Sequence, residues 1–449
     1  MVGVWLYRGA TSLLGALRAP LARIGRAGGA WRSGWAAPGP ETELAAGSVW
    51  VHAASMGEVG AAGTWIDALL THGYRPPVLL TTRTRSGLAR ATRDLSGRAV
   101  ACIAPHDAPQ AVGPFLDVAI PCRLDLIETE IWPNLILEAR RRSIAVVFVS
   151  GTVTAATTRR LLLLGLAGET LLGRGVYALP QTETHAARFR ALGVPPERIR
   201  VIGDLKAEPR LGADAPPAPF ASRPALLFGS MRAGEEGVAV RLAGILERHR
   251  AGFGIERAAW ASARGGEDPF SGRCRPLLVV APRHPNGARR AASALARHGY
   301  QVSRRDEASR SRTDVKSWIE ELSRRPGRRA GVLATHGELS SAYDTAWAAL
   351  VGGTFAPRGG HNVWEAASRR CPALVGPYHE NVLSGVEALV REGGGVVAAD
   401  QGHLERVLQG WLTDQDLERR GIAAARAASG AAGASARALE ALSDWELPP

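Results

Sequence analysis

Short apolar runs alternate along this chain with stretches in which apolar residues recur at helical spacing. The runs predict strands at Gly47–Ala54, Val78–Thr82, Ala99–Ile103, Val118–Pro121, Leu124–Glu128, Ala145–Ser150, Val176–Pro180 and Ile199–Gly203. Between them, helical periodicity covers Val59–Leu70, a segment from about Ser86, and Pro133–Arg142. The pattern breaks at 208–224, EPRLGADAPPAPFASRP, which is rich in proline and alanine and reads as a linker. It then restarts with strands at Ala225–Phe228, Leu277–Ala281, Val332–Ala334, Ala348–Val351 and Pro372–Val375. Alternation of this kind predicts an α/β fold with two doubly wound, mostly parallel sheets. Residues 41–207 and 225–425 form the two Rossmann-like domains, 1–40 a helical N-terminal segment, 426–449 a helical tail, and 252–275 a surface insertion. Two such halves imply a central cleft, with ligands at the carboxyl ends of the strands.

The stretch Val351–Pro377 concentrates the chemistry. An apolar run, Trp347–Val351, ends in Gly352-Gly353, and a second pair, Gly359-Gly360, directly precedes His361 and Asn362. Glu365 falls in the first turn of the helix that follows, and a second apolar run ends at Gly376-Pro377. A loop of this composition lets backbone approach a ligand closely and aims helix N–H groups at a phosphate. The plain alternative is an ordinary strand–turn–helix connection.

Other polar clusters follow predicted strands. In HAASMGE, Glu58 follows a glycine at a helix start and could serve as a general base, although an acid is favoured there by the helix dipole alone. Glu128 and Glu130 stand at the end of an apolar strand, before a proline suited to a helix's first turn. Gly203-Asp204-Leu205-Lys206, Ala281-Pro282-Arg283-His284-Pro285 and Thr335-His336-Gly337-Glu338 occupy equivalent places. Arg283 and His284 could clamp an anion.

Composition narrows the class. An apolar content of 46% and a charged content of 22% are ordinary for a globular chain, but the formal charge of +13 points to an anionic partner. Arginine supplies nearly all of it, for lysine occurs only at Lys206 and Lys316. Lys206 therefore stands out as a position where a compact ammonium is wanted. The cysteines, Cys102, Cys122, Cys274 and Cys371, have neither CxxC nor zinc-site spacing, which fits a reduced, cytosol-facing protein. Residues Met1–Ala30 mix apolar residues with Arg8, Arg18, Arg23 and Arg26, flanked by Trp5, Trp31 and Trp35. No apolar run there reaches the ~20 residues that span a bilayer, and the pattern reads as a helix on an anionic membrane surface. The alternative is a helix packed on the protein body. With no recognised nucleic-acid module and no basic stretch interleaved with aromatics, nucleic acid is not an expected partner.

The segments VHAASMGEVGAA, LIETEIWPNLI, VIGDLK, APRHP, HGELSSAYDTAWAALVGGTF and RGGHNVWEAA, in this order between about Trp50 and Val382, closely resemble the 3-deoxy-D-manno-octulosonic acid (Kdo) transferases of lipopolysaccharide synthesis. The resemblance implies a GT-B fold with an acceptor-binding first domain and a donor-binding second one. It implies an inverting, metal-independent transfer with no cofactor, from CMP-Kdo to a lipid A precursor (lipid IVA), at the cytoplasmic face of the inner membrane. Carried over by position, Glu58 is the general base, and Glu130 and Lys206 stabilise the transition state. Pro282 and Arg283 form one contact to CMP, His336, Gly337 and Glu338 a second, and Asn362, Val363, Trp364 and Glu365 a third.

The chain departs from the family pattern in places. HNVWE replaces HNPLE, LKAEP an LK-aromatic-Asp pattern, RHPNG the commoner RHPER, and Arg232 stands where histidine is usual before Gly234-Glu235-Glu236. Two competing readings remain at this level. One is another GT-B transferase or epimerase using a different nucleotide sugar; the other is a non-enzymatic basic binder on the same scaffold.

Overall fold

A six-stranded sheet organises the first half of the chain and a seven-stranded sheet the second, every pair of neighbouring strands in each running parallel. The computed structural model describes residues 2–24, 47–75, 77–208, 223–249, 276–335, 337–413 and 417–448. The chain divides into two units, Met1–Leu211 with Ala432–Pro449, and Gly212–Ala431.

In the first unit, β1 (Val49–His52), β2 (Val78–Thr82), β3 (Val100–Ile103), β4 (Arg123–Ile127), β5 (Ala145–Gly151) and β6 (Val176–Pro180) lie in the order β3-β2-β1-β4-β5-β6. Both faces are covered, so the strands read as continuous apolar runs. Trp50, Leu124, Leu126 and Phe148 face one layer with Phe115, Ile136 and Phe189. Their strand neighbours Val49, Val51, Val147 and Val149 face the other, with Trp65, Ile66 and residues of the helix Ala434–Asp444. The segment expected as a tail thus completes the first unit's core through Ala434, Ala438, Ala441 and Leu442, and Glu208 fixes its start by accepting from Ser435 N at 2.6 Å and Ser435 Oγ at 2.7 Å.

In the second unit, β7 (Ala225–Met231), β8 (Leu277–Pro282), β9 (Gln301–Arg305), β10 (Arg329–Leu333), β11 (Ala346–Val351), β12 (Ala373–Val375) and β13 (Gly395–Val397) take the order β13-β12-β11-β7-β8-β10-β9. Two expected strands are absent. Val118–Pro121 instead ends the helix Pro109–Ala119, with Ile120 as a left-handed cap at φ 38°. Ile199–Gly203 makes only a single bridge, Ile199 to Ala178. Strands β9 and β13 were not expected. Residues 209–222 of the expected linker 208–224, the insertion (252–275), and Arg26, Trp31 and Trp35 lie outside the described residues.

The N-terminal helix Val2–Ile24 packs through buried Val4, and Tyr7 Oη donates to Asp107 Oδ2 at 2.9 Å. Gly3 is pressed against the backbone of Leu164 and Gly165, where a Cβ would meet Leu164 O at 1.9 Å. Trp5, Leu6, Leu13 and Leu14 remain exposed on this helix, as do Leu162, Leu163 and Leu164 beside it. No helix among the described residues is long and apolar enough to cross a membrane.

One ion pair sits inside the first sheet. Arg123 donates to both oxygens of Asp125 at 2.7 and 2.8 Å, with both side chains fully buried, and Trp65 Nε1 adds a third bond to the carboxylate at 2.8 Å. Removing the cation strands a buried carboxylate. Arg123→Ala should cost about 3–5 kcal/mol, read as a lower urea midpoint in equilibrium unfolding.

Candidate active site

Strand order reverses between β1 and β4 in the first sheet: β2 and β3 lie to one side, β5 and β6 to the other. Loops leaving the carboxyl ends of such neighbours diverge and leave room for a ligand. The loop after β1 ends at Ser55, which caps the helix Met56–Thr71 in an extended conformation, its hydroxyl accepting from Glu58 N at 3.4 Å. The Glu58 carboxylate folds back, accepting from Ala54 N at 2.8 Å and from the Ser55 hydroxyl at 2.6 Å. This is a capping-box arrangement, so the helix-start role is present. It does not exhaust the residue. Burial, then the charges of Glu128 and Glu130, push the Glu58 carboxyl up to about 7 against the opposing Ser55 hydroxyl and Lys206. A carboxyl poised there can exchange a proton near neutral pH.

The loop after β4 begins with Glu128 in the left-handed region at φ 63°, an uncommon conformation for a residue with a side chain. Its N–H is held by Val149 O at 3.1 Å, and its carboxylate pairs with the Lys206 ammonium. Lys206 sits in the short 3-10 turn Leu205–Ala207, its N–H capped by Asp204 Oδ1 at 2.9 Å. Ser150, another left-handed residue at φ 54°, anchors that turn by accepting from Leu205 N at 3.2 Å and Gln181 Nε2 at 3.1 Å. Burial draws the Lys206 ammonium down, but Glu128, Asp204 and Glu58 outweigh it and hold it up at about 12, so it stays charged.

Glu130 accepts from Trp132 Nε1 at 2.5 Å and lies 3.6 Å from His52 Nε2. Burial would raise this carboxyl; His52, Trp132 and Arg83 outweigh it and keep it below the usual range. His52 is itself fixed by Thr81 Oγ1 at 2.8 Å, and the Arg83 guanidinium stacks 4.1 Å over the Trp132 ring. Glu58, Glu130 and Lys206, scattered in sequence, therefore interact electrostatically at one end of one sheet, together with Glu128. Ser150 and Gln181, which position Lys206, carried no sequence signal; a serine at a strand end is common.

The second sheet reverses between β7 and β11. Glu235, fully buried, accepts from Arg232 N at 2.7 Å, Gly353 N at 2.9 Å and Phe355 N at 2.9 Å. It ties the turn after β7 to the glycine loop after β11. Two N–H groups of that loop, those of Gly353 and Phe355, thus serve an internal carboxylate; the helix-start N–H groups expected to face a phosphate are not among them. The glycines answer to packing. At Gly353, φ 75°, a Cβ would lie 3.1 Å from the His361 ring, and at Gly360, φ 88°, it would lie 2.8 Å from Val382.

The remaining expected residues sort by burial. Asn362 Oδ1 accepts from Trp364 N at 2.9 Å and opens the short helix Trp364–Ala367, which carries Glu365 in its first turn. Val363 and Trp364 are buried, and a Cβ on Gly385 would meet Val363 at 2.7 Å. Their side chains belong to the core, leaving backbone alone to meet a ligand. Glu338 is likewise committed. It takes two bonds from buried Arg305, at 2.8 and 2.6 Å, and one from Thr335 Oγ1 at 2.5 Å. Burial would raise it, but these donors hold it below the usual carboxylate range. Gly337 turns the chain before it at φ 83°, and His336 lies outside the described residues. Pro282 ends β8, and Arg283 N donates to Met231 O at 2.9 Å, placing Arg283 beside the end of β7.

Comparison with known proteins bears on both units. Residues 27–208 match the family described as 3-Deoxy-D-manno-octulosonic-acid transferase (kdotransferase). The chain is 34% identical over 449 residues to a 3-deoxy-D-manno-octulosonic acid transferase of Bordetella pertussis, covering 94% of each chain. It is 24% identical to the Haemophilus influenzae protein of the same name, over 83% of this chain and 81% of that one. Among solved structures it resembles a UDP-GlcNAc 2-epimerase from Neisseria meningitidis bound to UDP-GlcNAc (TM-score 0.54, 12% identity, 88% of this chain and 100% of that one). It also resembles the Anabaena HepE protein in complex with UDP and glucose (TM-score 0.54, 13% identity, 88% and 99%). Identities this low speak for a shared GT-B-type fold alone.

The raised Glu58 has a stability signature. Its folded pKa of about 7 lies above the ordinary 4.5, so the stability it contributes is complete below about pH 4.5 and lost as pH rises through about 7. Glu58→Gln should therefore raise the Tm at about pH 8 and leave it nearly unchanged at about pH 5, a difference that scanning calorimetry at the two pH values resolves.

Proposed function

The chain belongs to the 3-deoxy-D-manno-octulosonic acid transferase family, and from that premise we propose that it moves Kdo from CMP-Kdo onto lipid IVA with inversion and without a metal ion. Family membership makes it a glycosyltransferase of lipopolysaccharide biosynthesis. The observation that carries the finer reading is the meeting of Glu58, Glu130 and Lys206 where strand order reverses in the first sheet.

The acceptor hydroxyl is a weak acid, so its attack on the anomeric carbon needs a base that takes the proton as the new C–O bond forms. We assign that role to Glu58; inversion requires the attack that it assists to come from the face opposite the departing group. As the bond from sugar to phosphate breaks, CMP leaves as a stable anion carrying the bonding electron pair. Positive charge grows on the sugar ring meanwhile, and Glu130, held ionised, offsets it. Lys206, fixed as an ammonium, meets an anionic group of the donor and releases Glu128 to do so. Pro282 at the end of β8, Arg283 and Gly337 and Asn362 on loops that follow strands of the second sheet, and Glu365 in the helix Trp364–Ala367 are assigned to the nucleotide, as is His336.

The acceptor is a lipid, and the exposed Trp5, Leu6, Leu13 and Leu14 with neighbouring Leu162, Leu163 and Leu164 give the first unit an apolar patch. Arg141 stacks over Trp5 at 5.9 Å, and Arg159 and Arg160 are exposed next to the leucines. An apolar patch rimmed by cations suits the surface of an anionic membrane, and we assign the enzyme to the cytoplasmic face of the inner membrane on this basis.

Purified protein given CMP-Kdo and a tetraacyl lipid A precursor should release CMP in the presence of EDTA, with mass spectrometry of the lipid counting the sugars added. Full CMP release by Glu58→Gln would end the general-base assignment; the expected loss in kcat is about 100- to 10,000-fold. For the wild type, kcat/KM should fall about tenfold per pH unit below about pH 7, because protonated Glu58 cannot accept the acceptor's proton.

A further inference from the structure

The first part of the glycine loop after β11 has its donors committed within the protein. Glu235 already takes the N–H groups of Gly353 and Phe355, together with that of Arg232 after β7. The Gly360 N–H is spent on Gly353 O at 2.9 Å. A buried carboxylate thus sits where a bound phosphate would otherwise draw the loop's donors, and a second anion there would face its charge. Yet this is the point of strand reversal, where a ligand of an open parallel sheet binds. At this part of the loop, positive charge for a phosphorylated ligand comes from side chains.

Arg232 is placed to supply it. Its backbone is clamped by Glu235, and its Cγ lies 3.5 Å from where a Cβ on Gly353 would stand, so the side chain runs across the space that the glycine leaves open. The guanidinium Nη1 donates to His284 Nε2 at 3.0 Å. That bond requires an unprotonated Nε2 and aims the guanidinium without neutralising it. Among the described residues no carboxylate pairs with Arg232, in contrast to Arg290, which pairs with Glu236, and Arg305, which pairs with Glu338. The remaining N–H groups of a planar guanidinium form a fork that fits two phosphate oxygens.

We propose that Arg232, oriented by His284, binds the phosphate of the donor nucleotide and so determines affinity for the phosphorylated over the bare nucleoside. The inference rests on the donor reading above and takes CMP as its ligand. It makes Arg232 a contact to the leaving group in addition to Arg283, which Met231 O holds at the end of the neighbouring strand.

Titration calorimetry of the full chain with CMP and with cytidine tests it. Arg232→Ala should weaken CMP binding by about tenfold or more and leave cytidine binding unchanged, the loss expected for charge-assisted hydrogen bonds. Arg232→Lys, which keeps the charge but not the fork, should recover part of the loss. Unchanged CMP affinity in Arg232→Ala overturns the proposal. So does an equal loss for CMP and cytidine, which would mark a structural role, and a melting curve of each variant separates misfolding from either. If the wild type binds UDP in place of CMP, the donor assignment fails, and the same comparison made with UDP and uridine still decides the role of Arg232.

Discussion

Three carboxylates share the end of the first sheet, and their mutual repulsion would be hard to sustain without a cation among them. Lys206 is that cation. It pairs with Glu128 and acts favourably on Glu58, while burial works against every charge present. The outcome is a division of labour set by surroundings alone. Glu130, beside His52 and the Trp132 indole, stays ionised, whereas Glu58, with two carboxylates near and a hydroxyl as its main ally, sits near neutrality. Two carboxyl groups of like chemistry are separated, one held ionised and one titrating near neutral pH, by their different neighbours.

The two sheets solve a common problem in different ways. In each, order reverses at one pair of strands, and the divergent loops beyond must be fixed in place. In the first unit the tie is the side-chain pair Glu128–Lys206, reinforced from behind by Ser150 and Gln181. In the second it is Glu235, whose carboxylate reaches backbone of two separate loops. A side-chain pair can exchange one partner for a ligand. A carboxylate holding three backbone donors resists exchange, because each donor left unmatched in the interior is costly.

Much of this was legible in sequence because buried parallel strands announce themselves as apolar runs, as with Val78–Thr82 and Val176–Pro180, found at the expected bounds. Strand β9 escaped because it reads QVSRR: it lies at the sheet's edge and carries polar residues. The apolar stretch Val118–Pro121 misled because helix termini also bury apolar residues, and the left-handed Ile120 has no signature comparable to glycine. At the sites, the residue types pointed correctly to strand ends, but burial was invisible. Glu338 looked free to bind a ligand until Arg305, 33 positions away, claimed both its oxygens. Nothing local in GGTFAPRGG disclosed that the N–H groups of Gly353 and Phe355 were already spent on Glu235.

The helix Ala434–Asp444 has a consequence for how the molecule is made. It supplies Ala434, Ala438, Ala441 and Leu442 to a core whose other members precede the whole second unit in the chain. On the ribosome, the first sheet therefore emerges with one apolar face incompletely covered and waits in that condition while the second unit is synthesised. Those contacts have very large sequence separation, so the loop they close is among the longest the chain allows, and the closing entropy is offset only when the last helix docks. The first unit is accordingly a domain in space but not in time. A fragment cut at the linker would carry an exposed apolar strip, a consequence of the connectivity rather than of any weakness in the sheet.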